Sequence, residues 1–278
     1  MSEFWERLSG NFRLEERDIL VLLALEKWGV LGLGQLDGML FRRKAEEMER
    51  VRLFFNEIER KDYWRMGYKR LRSLEKRGFI RQEVYVGQRK VFLLTARGYR
   101  VLRELGRARL KRPLLSLSEW WVRHELTVSA AGLIISELLG RKVTTARERF
   151  QGSRFEVRTS LRSAEMPDLW VMNDGGPRPV EIELQPKSKS RYKELWNSYR
   201  RRFPEGTAVL YLTGWPRGEE WIFHLARKLG QAYFIYAASL DEFRRTRGQI
   251  PFASGDEIRS RDFISLKISE GKEAANGA

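Results

Sequence analysis

The stretch from residue 68 to residue 105 constrains the fold most, because its apolar period changes from helical to alternating and back. Tyr68, Leu71 and Leu74 recur at helical spacing up to Gly78, which supplies a C-terminal stop. Residues 79–86 and 90–94 then read as two strands around Gly87-Gln88-Arg89. Thr95 caps a closing helix that runs to residue 105. Helix, hairpin and helix in immediate succession restrict this stretch to a small α+β module.

Upstream, Asp18 is expected to cap a helix beginning Ile19-Leu20-Val21-Leu22-Leu23-Ala24-Leu25, apolar on nearly every face and ended by Gly29. Residues 32–41 read as a turn and a short second helix. The charged stretch near residues 42–62 contains helix formers and no breaker, which predicts an inserted or extended helix. In the basic helix, Tyr68, Leu71 and Leu74 can face inward. That leaves Lys69, Arg70, Arg72, Ser73, Lys76 and Arg77 outward.

Charge follows the same module. The 278-residue chain carries 53 Lys+Arg against 37 Asp+Glu, a formal net charge of +16. Residues 60–112 alone hold 18 basic and 4 acidic residues. The positive field is therefore local, and a polyanion is the expected partner. Apolar residues at 42% and aromatic residues at 12% exclude disorder over most of the chain. With no Cys and only His124 and His224, disulfide scaffolds, thiol catalysis and histidine-rich metal sites are excluded. The longest apolar run, residues 19–25, is far short of a membrane span, and the start MSEFWERLSG lacks the form of a secretory signal. A cytoplasmic protein without membrane contact is expected.

After the basic, Pro-containing stretch at 107–113 the pattern changes. Residues 119–139 read as a long helix, and strand-like runs follow at 154–159, 169–172, 180–184, 208–213 and 233–237. Two amphipathic helices alternate with the later strands. One carries Tyr192, Leu195, Trp196 and Tyr199, the other Ile222, Leu225, Ala226 and Leu229. The order predicts a mixed sheet covered by helices on both faces. Trp120, Trp121, Trp196, Trp215 and both histidines read as packed or surface residues rather than functional ones.

The chemistry candidates sit in Met166-Pro167-Asp168-Leu169-Trp170 and Val180-Glu181-Ile182-Glu183-Leu184-Gln185-Pro186-Lys187. Period two puts Glu181, Glu183 and Gln185 on one strand face. The turn at 173–177 folds the Asp168 strand back beside it. Clustered carboxylates with lysine nearby suit Mg²⁺ or Mn²⁺ acting on a phosphodiester.

Residues 14–106, and LRSLEKRGFIRQEVYVGQRKVFLLTARGYRVL in particular, closely resemble a winged helix-turn-helix. The resemblance implies that the helix around Lys69–Arg77 enters the major groove of double-stranded DNA, with Arg89 and Lys90 at the hairpin tip on flanking phosphates. The second half resembles the PD-(D/E)XK nuclease superfamily, with Pro167-Asp168 as the first signature and Glu181-x-Glu183 as the second. Where that pattern usually ends Glu-x-Lys, this strand offers Glu181-x-Glu183 or Glu183-x-Gln185, and Lys187, Lys189 or Lys193 are the substitutes. The roles implied are Asp168 and Glu183 on the metal, Glu181 as co-ligand, and Lys187 or Lys193 on the phosphate. Glu125 is the further acid many members add.

A winged helix followed by such a domain resembles the replication-relaxation family of plasmid and integrative-element proteins. Residues 121–128 and the run from Pro167 through Lys193 to Tyr199 carry that resemblance besides the winged helix. Residues 269–278 read as a disordered tail by composition, and the resemblance implies a winged-helix domain at 1–112 and a restriction-endonuclease-like mixed sheet flanked by helices at 113–268. It further implies DNA binding in plasmid replication or at a transfer origin. A relaxase or replication initiator, or a second copy of the chain, is the protein partner to be expected from it. The rival is a non-catalytic accessory protein or transcriptional regulator whose second domain dimerises or recruits a partner.

Overall fold

The computed structural model describes residues 14–37, 39, 61–85, 89–110, 114, 118–138, 142–148, 166–173, 176–203, 207–246, 252–254 and 257–259. The expected insert up to residue 60, the strand at 154–159, the hairpin tip at 86–88 and the tail at 269–278 lie outside them. The chain divides into two compact units, Met1–Ala130 with Arg147–Phe155, and Ala131–Ala146 with Glu156–Ala278. It is mixed α and β, with a three-stranded sheet in one unit and a larger mixed sheet in the other. No helix among the described residues is long and apolar enough to cross a membrane.

In the first unit, α1 (Glu16–Trp28) starts two residues before the expected cap. Glu15 is the N-cap, and its backbone N–H donates to the Asp18 carboxylate at 3.0 Å. Asp18 thus closes a capping box from inside the helix. β1 (Val30–Gly32) and α2 (Leu33–Leu36) follow, where only a turn and a helix were expected. α3 (Lys61–Lys76) ends at Gly78, whose φ of 72° is the left-handed stop. β2 (Ile80–Tyr85), β3 (Arg89–Leu94) and α4 (Ala96–Glu104) complete the module. The sheet order is β1-β3-β2, antiparallel throughout.

Val91, Phe92, Leu93 and Leu94 are all buried, so the central strand β3 shows no alternation. The reason is cover on both faces. Val91 and Leu93 cluster with Val30 and with Val122 of α5 (Glu119–Leu133), while α1 also packs against β3. α5 continues into a wider π-helical turn, Ile134–Leu138.

The second unit is built on a seven-stranded sheet. β4 (Val143–Thr145), β5 (Leu169–Asn173) and β6 (Gly176–Glu183) form an antiparallel meander. α6 (Lys189–Arg202), β7 (Val209–Thr213), α7 (Gly218–Lys228) and β8 (Ile235–Ser239) then run as parallel crossovers. α8 (Leu240–Arg245) leads to a short antiparallel edge, β9 (Phe252–Ser254) and β10 (Glu257–Arg259). Tyr192, Leu195, Trp196 and Tyr199 of α6 and Ile222, Leu225 and Ala226 of α7 bury one sheet face against Val209, Tyr211, Ile235 and Ala237. The helical spacing in both segments foretells that face.

Candidate nucleic-acid interface and carboxylate cluster

In the first unit, helical spacing sorts the basic side chains of α3. Leu71 and Leu74 are buried, and Lys69, Arg72, Ser73 and Lys76 are exposed. Arg72 pairs with Glu75 at 2.8 Å on the surface. A pair of that kind contributes at most about 1 kcal/mol, so phosphate can displace it. Arg77 stacks on Phe79, 4.8 Å from the ring centroid. Lys90 lies 5.1 Å from the Tyr68 ring centroid and donates to its hydroxyl at 3.2 Å, which ties β3 to α3. Arg89 opens β3 opposite Tyr85.

Arg70 is different. Its guanidinium forks onto the Asp18 carboxylate and reaches Glu15 at 2.9 Å. Asp18 is 0% exposed, so Arg70 serves as the counter-ion of a buried charge. The hydrogen bonds to Asp18 raise the Arg70 pKa further. The outward position read from spacing is corrected here: a partner 52 residues away draws this side chain inward.

In the second unit, β5 and β6 align Leu169 with Val180, which sets Asp168 across from Glu181. The Ile182 backbone N–H donates to the Asp168 carboxylate at 2.8 Å. On the same face of β6 lie Glu181, 5% exposed and aligned with Tyr211, and Glu183, 4% exposed and aligned with Thr213. The Tyr199 hydroxyl donates to Glu181 from beneath α6. Lys187, just before the Ser188 cap of α6, forms an ion pair with Glu183. Its backbone N–H donates to the Tyr192 hydroxyl at 3.3 Å. Lys189 and Lys193 are exposed. Lys187 is thus the lysine that the turn after β6 delivers to the acids. Glu125 belongs to the first unit and pairs with Arg147.

Three tyrosines are part of this cluster: Tyr192 and Tyr199, read from helical spacing as the inner face of an amphipathic helix, and Tyr211, which lies within the strand-like run at 208–213. Trp196 Nε1 donates to the Tyr211 hydroxyl at 2.9 Å, so each hydroxyl has a partner. Burial and the nearby glutamates push the Tyr192 and Tyr211 hydroxyls up, which keeps them neutral.

The electrostatics follow from burying several acids together. Desolvation first, then Asp168 and Glu183, raises the Glu181 carboxyl well above the usual carboxylate range, with Lys187 opposing. Burial works against the Lys187 ammonium, but Glu181 and Glu183 outweigh it and raise its pKa. The oxygen donors are of the type Mg²⁺ and Mn²⁺ prefer. Yet no three carboxylates or histidines stand close enough to share an ion among the described residues. Asp168 accepts from a backbone N–H, Glu181 from a tyrosine and Glu183 from a lysine, so each acid of the expected metal set is engaged by a protein group in the folded chain.

The raised Glu181 pKa has a testable sign. A carboxyl that binds its proton more tightly when folded adds stability as pH falls, over the window from its raised folded value down to its unfolded value near 4.5. Glu181→Gln keeps an acceptor for Tyr199 and removes the charge. Thermal unfolding from pH 8 to pH 5 should show the variant as the more stable protein at pH 8, with the gap closing towards pH 5. A gap that stays constant across that range would mean Glu181 titrates normally.

No family model, curated protein or solved structure matches the chain.

Proposed function

We propose that the chain is a double-stranded DNA-binding protein in which α3 enters the major groove and the β2–β3 hairpin approaches the flanking backbone. The observation that carries this is the exposed row Lys69, Arg72, Ser73 and Lys76 on one helix, braced by buried Leu71 and Leu74. Outward lysine and arginine release counterions from the duplex, and Ser73 can reach phosphate or base edges. The helix–hairpin–helix order agrees with the winged-helix resemblance. The second unit's run of three antiparallel strands, helix and parallel strand agrees with a restriction-endonuclease-like core.

The carboxylates of that core are held by protein partners, which favours a non-catalytic role in plasmid replication or transfer-origin DNA processing. A relaxase or replication initiator, or a second copy of the chain, is then what the second unit recruits. Cleavage is the second reading, favoured by the meeting of Asp168, Glu181, Glu183 and Lys187 at one end of β6.

Gel shifts and plasmid cleavage test the two together. Lys69→Ala, Arg72→Ala and Lys76→Ala combined should flatten the salt dependence of DNA affinity by about two to three units of slope, near 0.9 per phosphate contact. An unchanged slope would move the interface off α3. Supercoiled plasmid with Mg²⁺ or Mn²⁺ should stay intact with wild type and with Asp168→Ala alike. Nicking by wild type alone would install the cleavage reading in its place.

A further inference from the structure

The basic surface does not end with α3. Thr95 joins α3 to α4 tightly: its hydroxyl donates to the carbonyls of Gly78 at 2.6 Å and Phe79 at 2.9 Å. The same oxygen accepts from the Gly98 N–H at 3.0 Å, capping α4. Phe79 is buried between the two helix ends, and two guanidiniums lie over its ring. Arg77, from the end of α3, is 4.8 Å from the centroid, and Arg97, from the start of α4, is 5.0 Å from it. Cation–π contact of this kind holds a guanidinium against the ring face.

From Arg97 the row continues along α4 through Arg100 and Arg103, spaced by three residues and all exposed. Neither Arg100 nor Arg103 makes an ion pair among the described residues. The first turn of α4 holds no acidic residue and does hold Arg97, an arrangement that works against the helix dipole. The Phe79 contact accounts for Arg97 alone, not for the row it opens. A bound polyanion accounts for the row.

We propose that Arg97, Arg100 and Arg103 form a second phosphate-contacting surface, continuous with α3 through the Arg77–Phe79–Arg97 stack, which lengthens the duplex footprint of the first unit. The contacts are to backbone phosphate, so they add affinity without sequence preference. The inference rests on the DNA-binding reading and extends it from one helix to two.

The test is fluorescence anisotropy with a labelled random-sequence duplex, titrated from about 50 to 300 mM salt. The triple variant Arg97→Ala, Arg100→Ala, Arg103→Ala should bind with a slope flatter by about two to three units and keep the wild-type melting temperature. A control removes equally exposed charge from the other unit, as Arg200→Ala, Arg201→Ala, Lys228→Ala, and should keep the wild-type slope. If the α4 variant keeps the wild-type slope while the α3 variant loses it, the second surface is overturned and the DNA-binding reading stands. Equal flattening by the control also overturns it, since net charge alone would then set the slope. Wild type that fails to bind duplex at any salt removes both.

Discussion

Arg70→Ala is expected to destabilise the first unit by about 2–4 kcal/mol, somewhat below the usual loss for breaking a buried pair because the arginine end is partly open. The cost arises at Asp18, which is fully buried on α1 and loses the Arg70 guanidinium fork. Its remaining contact, the Glu15 N–H at 3.0 Å, cannot offset a buried carboxylate. Glu15 is exposed, so its own pair with Arg70 adds little. Arg72→Ala, two residues along the same helix, should change stability by under about 1 kcal/mol and be felt in DNA affinity instead. The neighbours would thus divide into one that holds the fold and one left for the proposed DNA contact. Chemical denaturation of both variants reads the difference directly. Combining Arg70→Ala with Asp18→Asn, which keeps the acceptor for Glu15 and deletes the charge, should restore a large part of the loss. If the double variant is no more stable than Arg70→Ala, the penalty does not come from the stranded carboxylate.

That division marks where sequence reasoning stops. Spacing places Arg70 outward because it sees only α3, and its partner is 52 residues away. Local patterns do better. Gly29 and Gly78 end the helices they were expected to end, with φ of 77° and 72°. The hairpin register brings Asp168 across from Glu181, and period two puts Glu181 and Glu183 on one face. β1 and β4 were missed because three residues carry no period, and pairing with β3 and β5 is what makes them strands. At the carboxylate cluster the residue types were legible and their engagements were not. A glutamate under Tyr199 and a lysine turned back onto Glu183 depend on how α6 seats on the sheet. Among Lys187, Lys189 and Lys193 only the chain path after β6 decides which one arrives.

Gly98→Ala is expected to cost about 2–3 kcal/mol, although alanine ordinarily favours a helix by up to about 1 kcal/mol over glycine. A Cβ at residue 98 would sit 2.1 Å from the Phe79 carbonyl oxygen and 2.9 Å from Leu94 Cδ1. The oxygen is backbone, and the Thr95 N–H at 3.2 Å and hydroxyl at 2.9 Å hold it in place. α4 must therefore lift away from the end of α3, which costs the packing of Val101 and Leu102. Gly34→Ala supplies the opposite case: it lies in α2 with nothing within 4 Å of a new Cβ, and should leave stability unchanged or raise it. The same displacement would part Arg97 from the Phe79 stack, so Gly98→Ala should also flatten the salt dependence of DNA affinity without removing any charge. A melting temperature at or above wild type, with an unchanged slope, would show that the contact between Gly98 and Phe79 fixes neither helix. A lowered melting temperature together with a flattened slope would tie the affinity to how the two helices are joined, beyond the number of arginines they carry.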